Sequence, residues 1–149
     1  MATRSTIGIK HGNRIKAIYC HYDGYLGHVG LALHTYYQDS IKVNKLISMG
    51  DMSGIGAEIG EEHGFDAQKE YLADGIATVC TFYGRDRSEE SVEFQSFDSE
   101  ASFIDYYKGT GAEYYYLYDH GVWYVASYGS DFAPLHEELA KEKAEQEAE

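Results

Sequence analysis

A thiol, an imidazole and a carboxylate lie side by side in the stretch Cys20-His21-Tyr22-Asp23. The stretch lies where an expected strand meets an expected helix, and a helix N-terminus can lower the pKa of a thiol. On a strand, however, Cys20 and His21 point to opposite faces, so the two side chains are poorly placed to share a proton. The pattern favours a structural interpretation, with Asp23 as a helix N-cap, Cys20 in the core and His21 at a sheet edge. We therefore assign no catalytic residue.

Two arginines offer a second candidate for chemistry. Arg85 and Arg87 directly follow an expected strand, and their i, i+2 spacing allows both side chains to point the same way. They could clamp an anion or a carboxylate and, together with Cys20, His21 and Asp23, line a pocket of a small-ligand binder or small enzyme. The other interpretation, which the sequence favours, is local pairing with Asp86, Glu89 or Glu90.

The histidines and cysteines show no spacing typical of a metal site. His28 and His34 are six residues apart, which is roughly 240° around a helix. Cys20 and Cys80 stand sixty residues apart, without a CxxC motif. We expect no metal and no cofactor, and two reduced, mostly buried thiols.

The charge of −13 is distributed unevenly. Residues 1–50 carry six cations against two acids, whereas residues 51–149 carry six cations against 23 acids, a net charge of −17. Such a field repels nucleic acid and anionic membrane and attracts basic partners. We expect neither direct nucleic acid binding nor membrane binding, and a partner protein with a basic surface. Glu58, Glu61 and Glu62 are candidate contact residues, and one version of this hypothesis is that the acidic surface mimics nucleic acid.

Tyrosine content is the other outlier of the composition, with fifteen tyrosines in the chain. Residues 113–127 predict a hairpin of two aromatic strands around the turn Asp119-His120-Gly121. If Tyr118 opposes Val122, one face of the hairpin carries Tyr115, Leu117, Trp123 and Val125, and the other carries Tyr114, Tyr116, Val122, Tyr124 and Ala126. The first face belongs to the core. For the second, both a partner and a helix of the same chain remain open, and Tyr114, Tyr116 and Tyr124 are its candidate interaction residues.

The remaining patterns predict the elements that position these residues. The chain of 149 residues suits one domain, and no apolar run approaches the roughly 18 residues that cross a bilayer. We predict an α+β fold: an antiparallel sheet of about four to six strands with two or three packed helices. Residues 1–132 form the compact domain, and residues 133–149 form an acidic C-terminal helix and a frayed tail. Within the domain we expect an N-terminal hairpin over 3–21, helices over 24–37, 40–49 and 100–108, a loop over 50–64, and strands over 76–83 and 92–97.

Several short motifs carry a resemblance to a known family. They are Ala2-Thr-Arg-Ser-Thr-Ile7, Tyr19-Cys-His-Tyr-Asp-Gly-Tyr25, Gly50-Asp-Met-Ser53, Phe82-Tyr-Gly-Arg-Asp-Arg87 and Leu117-Tyr-Asp-His-Gly-Val-Trp123. Over residues 2 to about 125, the chain resembles a family of small, largely uncharacterised accessory proteins of tailed bacteriophages. The resemblance carries no activity over to any residue. It implies a protein of the host bacterial cytoplasm that binds and modulates or inhibits a bacterial protein in host takeover or counter-defence.

Overall fold

A mixed β-sheet forms the centre of the computed structural model, which describes residues 2–127 and 130–147. Within these residues the sheet has eight strands and is accompanied by five α-helices and a separate pair of short strands. The strands are β1 (Ser5–His11), β2 (Arg14–Cys20), β3 (Met52–Gly54), β4 (Gly56–Glu58), β5 (Ala77–Val79), β6 (Thr81–Phe82), β7 (Gln95–Phe97), β8 (Tyr114–Asp119), β9 (Val122–Ser127) and β10 (Ala133–Pro134). The helices are α1 (Leu31–Tyr36), α2 (Ser40–Ser48), α3 (Tyr83–Arg87), α4 (Glu100–Lys108) and α5 (Leu135–Glu147), and a π-helical turn, Leu26–Gly30, precedes α1.

The sheet confirms the predicted α+β class and single domain but not the antiparallel arrangement or the number of strands. Its order is β10-β9-β8-β1-β2-β3-β6, and β7 also pairs with β2. The strands β1 and β8 run parallel, as do β2 and β3. Two antiparallel hairpins, β1–β2 and β8–β9, therefore join through their first strands. Pairing between segments so distant in the sequence leaves no local signal, which is why the patterns did not reveal it.

Both faces of the sheet are buried. On one face, Ile7, Ile9 and Ile18 belong to a large core that also includes residues of α1, α2 and α5. On the other face, Ile15 and Ala17 join a smaller cluster with residues of α4. The alternation in β1 and β2 that predicted the N-terminal hairpin supplies both sets of side chains, since successive residues of a strand face opposite sides.

The second hairpin is confirmed, but its predicted register was wrong by one residue. Tyr118 opposes Trp123 and Asp119 opposes Val122, around a two-residue turn of His120 and Gly121. Both turn residues have positive φ, +50° and +81°, as a tight two-residue hairpin turn requires. Because successive side chains point to opposite faces, shifting one strand by one residue places each of its side chains on the face opposite to the predicted one. Tyr116 consequently shares a face with Trp123 and Val125 in the large core, and Tyr124 lies on the opposite face.

Two helix starts differ from the prediction. Asp23 is no N-cap: it has φ +59°, and its carbonyl oxygen accepts a hydrogen bond from the Val29 amide at 3.1 Å. The next residue, Gly24, is so close to β1 that a β-carbon there would lie 2.6 Å from the Ser5 side chain. The chain turns tightly to pass this point before the π-helical turn begins. Helix α2 is capped by Asp39, whose carboxylate accepts from the Ile41 amide at 3.1 Å, and Ser40 is its first residue.

The region predicted as a loop over residues 50–64 contains β3 and β4. The predicted strand over 76–83 is divided between β5, which pairs with β4, and β6, which pairs with β3. Helix α4 follows the prediction, and the side chain of Ser99 caps it by accepting from the Ser102 amide. The predicted C-terminal helix is α5, whose first residue, Leu135, is fully buried in the large core. Residues 148 and 149 of the predicted frayed tail lie outside the described residues.

Candidate functional site

The Cys20-His21-Tyr22-Asp23 stretch ends strand β2 and is not arranged for catalysis. Cys20 is fully buried, and burial raises the pKa of its thiol to about 12, so the sulfur stays protonated at neutral pH. The His21 ring lies 2.7 Å from the hydroxyl of Tyr19, and partial burial lowers its pKa, with Arg4 adding to the effect. A protonated thiol and a neutral imidazole, each with its own neighbour, do not form a nucleophile and its base.

Arg85 cannot clamp a ligand, because all five N–H groups of its guanidinium donate within the protein. Its Nη1 donates to the carbonyl oxygens of Ile59 and Gly60, at 2.9 and 2.8 Å. Its Nη2 donates to the Cys80 carbonyl oxygen at 3.0 Å and to Asp86 at 3.1 Å, and Nε donates to Asp86 at 2.9 Å. A guanidinium has five donors, so none remains for an external anion.

Asp86 and His63 complete this arrangement. The fully buried carboxylate of Asp86 accepts the bonds from Arg85 and two more from the amides of His63, at 3.0 Å, and Phe82, at 2.8 Å. Burial by itself raises the pKa of Asp86, but these hydrogen bonds outweigh burial and leave it lowered. Both ring nitrogens of His63 face carbonyl oxygens, of Gly64 at 2.9 Å and of Cys80 at 3.0 Å, and these contacts raise its pKa. We call Arg85, Asp86 and His63 the anchor.

Arg87 follows the interpretation of local pairing as well. Its Nε lies 3.4 Å from a carboxylate oxygen of Glu89, and its guanidinium lies 4.9 Å from the ring centre of Phe65. Since Arg85 and Arg87 both have partners inside the chain, the two arginines do not form an anion clamp. In the pocket predicted from Cys20, His21, Asp23, Arg85 and Arg87, the buried Cys20 and the fully engaged Arg85 have no group to offer a ligand.

The anchor holds one end of an exposed acidic excursion, residues 59–75, which connects β4 to β5. We call it the acidic segment. Arg85 binds its first two carbonyl groups, and the amide of His63 binds Asp86. At the other end, the amide of Leu72 donates to the Ile76 carbonyl oxygen at 2.8 Å, and the carbonyl oxygen of Glu70 accepts from the Thr78 amide at 2.9 Å. Both ends of the acidic segment are thereby fixed to the domain.

Exposed carboxylates dominate the acidic segment. It carries five acids against Lys69, a net charge of −4. Among the described residues, no hydrogen bond or ion pair engages the side chains of four of these acids: Glu61, Glu62, Asp66 and Glu70. Tyr71, next in the chain, is 61% exposed, and Leu72 is 37% exposed. The segment combines unpaired negative charge with exposed aromatic and apolar surface.

The predicted interaction residues fall at different places. Glu61 and Glu62 belong to the acidic segment, whereas Glu58 precedes it and pairs with Lys42 at 3.3 Å. Tyr116 is fully buried, and its hydroxyl donates to the Gly24 carbonyl oxygen at 2.7 Å. Tyr114 is half-buried and stacked on Tyr116, and the half-buried Tyr124 lies on the opposite face of the sheet. The three predicted tyrosines do not share a surface.

Sequence reasoning missed the anchor as a unit, although it singled out Arg85 and named Asp86 among three possible local partners of the two arginines. Asp86 lies next to Arg85 in the chain, so local pairing was predictable. His63 and the carbonyl groups of Ile59 and Gly60 reach Arg85 only through tertiary structure, and no spacing pattern indicates them.

The described part of the chain has neither a cluster of metal ligands nor a membrane-spanning helix. Over residues 2–127 and 130–147, no three His, Cys, Asp or Glu side chains converge to hold a metal ion. In the same residues, no helix combines the length and apolar character needed to span a membrane.

Comparison with known proteins identifies no relative. The chain matches no family model, no curated protein and no solved structure.

Proposed function

We propose that this is a non-enzymatic binding protein that docks its acidic segment onto the basic surface of a partner protein. One observation carries the proposal: four unpaired carboxylates and an exposed tyrosine lie on one exposed segment whose two ends are fixed to the domain. Exposed aromatic residues are frequent energetic centres of interfaces. The surrounding charge accelerates association with a partner of opposite charge and excludes partners of like charge.

The anchor favours binding because it orders the acidic segment in advance. A segment that is ordered only on contact loses conformational freedom at that moment, and the loss weakens binding. Here the bonds from Arg85 to Ile59 and Gly60 and from the His63 amide to Asp86 order the start of the acidic segment before any partner arrives. Arg85 therefore contributes to binding without contacting the partner, because it holds the start of the acidic segment in position.

The resemblance to bacteriophage accessory proteins supports the rest of the proposal. We propose that the partner is a bacterial host protein, that the two meet in the host cytoplasm, and that binding modulates or inhibits the partner. If the basic surface of the partner is a nucleic acid groove, the acidic segment acts as a nucleic acid mimic.

The experiment compares two sets of charge reversals. The test variant is Glu61→Lys, Glu62→Lys and Glu70→Lys on the acidic segment, and the matched control is Glu137→Lys, Glu145→Lys and Glu147→Lys on α5. Each set changes the net charge by +6, so non-specific electrostatics is the same in both. Proteins captured from bacterial lysate by the parent are identified by mass spectrometry, and the dissociation constant of each purified candidate is measured.

We expect the segment variant to bind at least about 100-fold more weakly than the parent and the control to bind within about threefold, because three short-range charge contacts reverse sign only in the former. Equal weakening in both variants contradicts a specific role for the segment. Competition by duplex DNA, together with a steep loss of affinity on raising the salt concentration, supports mimicry, and binding that resists both excludes it.

A further inference from the structure

A second site lies away from the acidic segment, at a cavity of about 220 Å³ where β2, β3 and α4 meet the chain before β7. This volume is below the roughly 300 Å³ at which sites for drug-sized ligands begin, so it suits a small ligand or a single side chain. The residues that shape it are Tyr19, Asp51, Ser91, Tyr106, Tyr107 and Thr110.

The carboxylate of Asp51 is the chemical centre of this cavity. It is partly buried and accepts one hydrogen bond, from the Tyr19 amide at 2.9 Å. No cationic side chain among the described residues pairs with it. Asp86 provides the comparison within the same molecule, since that buried carboxylate has an arginine partner and two amide donors. Removing a carboxylate from water without a counter-ion is costly. A bound cation would therefore stabilise the ionised form of Asp51.

Tyrosine rings form much of the wall. Tyr107 and Tyr19 are fixed by their hydroxyl groups, which lie 3.1 Å from the Ala17 carbonyl oxygen and 2.7 Å from the His21 ring respectively. Tyr106, which is 48% exposed, stands nearly perpendicular to Tyr107, with 4.9 Å between the ring centres and 83° between the planes. Aromatic rings attract a cation that lies over their faces, so tyrosine rings in the wall suit a cationic ligand.

The backbone beside Asp51 is built for close approach. Gly50 has φ +84°, and a β-carbon there would lie 2.5 Å from the Val92 carbonyl oxygen, which accepts a hydrogen bond from the Asp51 amide at 2.8 Å. Ser91, on the cavity wall, has φ +61°, a conformation that residues other than glycine adopt at a cost. The chain accepts this strained geometry where it encloses the carboxylate.

We infer that this cavity binds an organic cation, with Asp51 as the counter-ion and Tyr19, Tyr106 and Tyr107 as the aromatic wall. The shared chemistry is an alkylammonium group, supplied either by a free small amine or by a lysine side chain of a partner protein. The inference is independent of the acidic segment and holds whether or not that segment docks a partner.

The electrostatics around Asp51 are compatible with this assignment. Burial raises the pKa of Asp51 to about 6, and the charge of Glu93 adds to this, while the hydrogen bond from the Tyr19 amide opposes it. The other titratable groups at the walls are Tyr19, Tyr106 and Tyr107. The charged Arg4 is not a wall residue, but it donates to the carbonyl oxygen of Thr110, which is one, at 3.2 Å. A bound cation favours the ionised carboxylate, so we expect affinity to fall about tenfold per pH unit below a pH of about 6.

The test titrates the whole protein with tetramethylammonium chloride, followed by backbone NMR shifts, with sodium chloride at equal ionic strength as the reference. Shifts confined to the cavity residues are expected. Asp51→Asn keeps an oxygen for the Tyr19 amide but removes the charge, and it should weaken binding at least about tenfold. Tyr106→Ala should weaken it about threefold to tenfold. Tyr25→Ala, at an exposed tyrosine outside the cavity and the acidic segment, is the control and should leave the affinity unchanged.

Two outcomes overturn the inference: equal shifts with sodium chloride, or undiminished binding by both cavity variants. If Asp51→Asn fails to fold, the half-exposed Tyr106→Ala and the pH series on the parent decide the matter. A parallel titration with Nα-acetyl-lysine methylamide, which keeps its ε-ammonium group, identifies the source of the cation. Preference for the lysine derivative indicates a partner's side chain, and preference for tetramethylammonium indicates a small free ammonium ion.

Discussion

Replacing Asp86 by asparagine removes the one negative charge of the anchor while keeping the shape of the side chain. The carboxylate is fully buried and accepts four hydrogen bonds, two from Arg85 and one each from the amides of Phe82 and His63. In either orientation, the asparagine NH₂ group faces two of these donors and loses both bonds. Bonds to a charged group contribute roughly 1.5–3 kcal/mol each, which gives a loss of about 3–6 kcal/mol. Breaking a buried ion pair from one side costs a similar amount, about 3–5 kcal/mol.

The loss is measured as the free energy of unfolding in urea, with the slope of the transition monitored to establish that only stability has changed. Glu62→Gln is the control, because Glu62 is exposed and has no partner among the described residues. We expect the control to stay within about 0.5 kcal/mol of the parent. Hydrogen exchange should also accelerate at the amide of His63, which loses its acceptor in one orientation of the asparagine. A loss below about 1 kcal/mol with unchanged exchange would refute the account of the anchor.

Three further predictions address the core, the anchor histidine and the turn before α1. Trp123→Ala should lower the free energy of unfolding by about 3–5 kcal/mol, since the indole is 5% exposed and donates to the Tyr37 carbonyl oxygen at 2.7 Å; a loss under about 1.5 kcal/mol contradicts the burial of this side chain in the large core. Contacts with carbonyl oxygens raise the folded-state pKa of His63, so its protonation stabilises the fold below the unfolded pKa of about 6.5, and this contribution is lost as pH rises through the folded pKa. A His63→Gln variant should lack this pH dependence when its unfolding in urea is compared with that of the parent across this range. Asp23 has φ +59°, where a β-branched side chain is strained, so Asp23→Val should cost about 1 kcal/mol or more of stability, whereas Asp23→Gly should match the parent. Equal melting temperatures for the two variants would contradict backbone strain at this position.

Local patterns predicted the elements whose stabilising contacts are close in sequence. The hairpin β1–β2 follows from alternation and turn chemistry, and helix α4 follows from the Ser99 cap, each within one short continuous segment of the chain. The register of β8–β9 was missed because a two-residue and a three-residue turn share the residues around His120 and Gly121, and only the backbone angles distinguish them.

Non-local contacts explain the rest of the differences. Parallel pairing of β1 with β8 joins Ile7 to Tyr116, and no sequence period reports such a pair. The short strands β3 and β4 lie in a glycine-rich stretch without periodicity, and they are strands because β6 and β5 pair with them. Asp51 was visible as an acid, but its lack of a counter-ion follows from the packing around it and not from its neighbours in the chain.

The most direct test of the central claim is the dissociation constant of a purified partner for three proteins: the parent, the Glu61→Lys, Glu62→Lys and Glu70→Lys variant of the acidic segment, and the Glu137→Lys, Glu145→Lys and Glu147→Lys variant of α5. The free energy of unfolding of the segment variant, measured in urea, must lie within about 0.5 kcal/mol of that of the parent, so that binding alone is compared. We predict at least about 100-fold weaker binding for the segment variant and less than threefold for the α5 variant. Parental affinity in a folded segment variant would contradict the claim that the acidic segment is the docking surface.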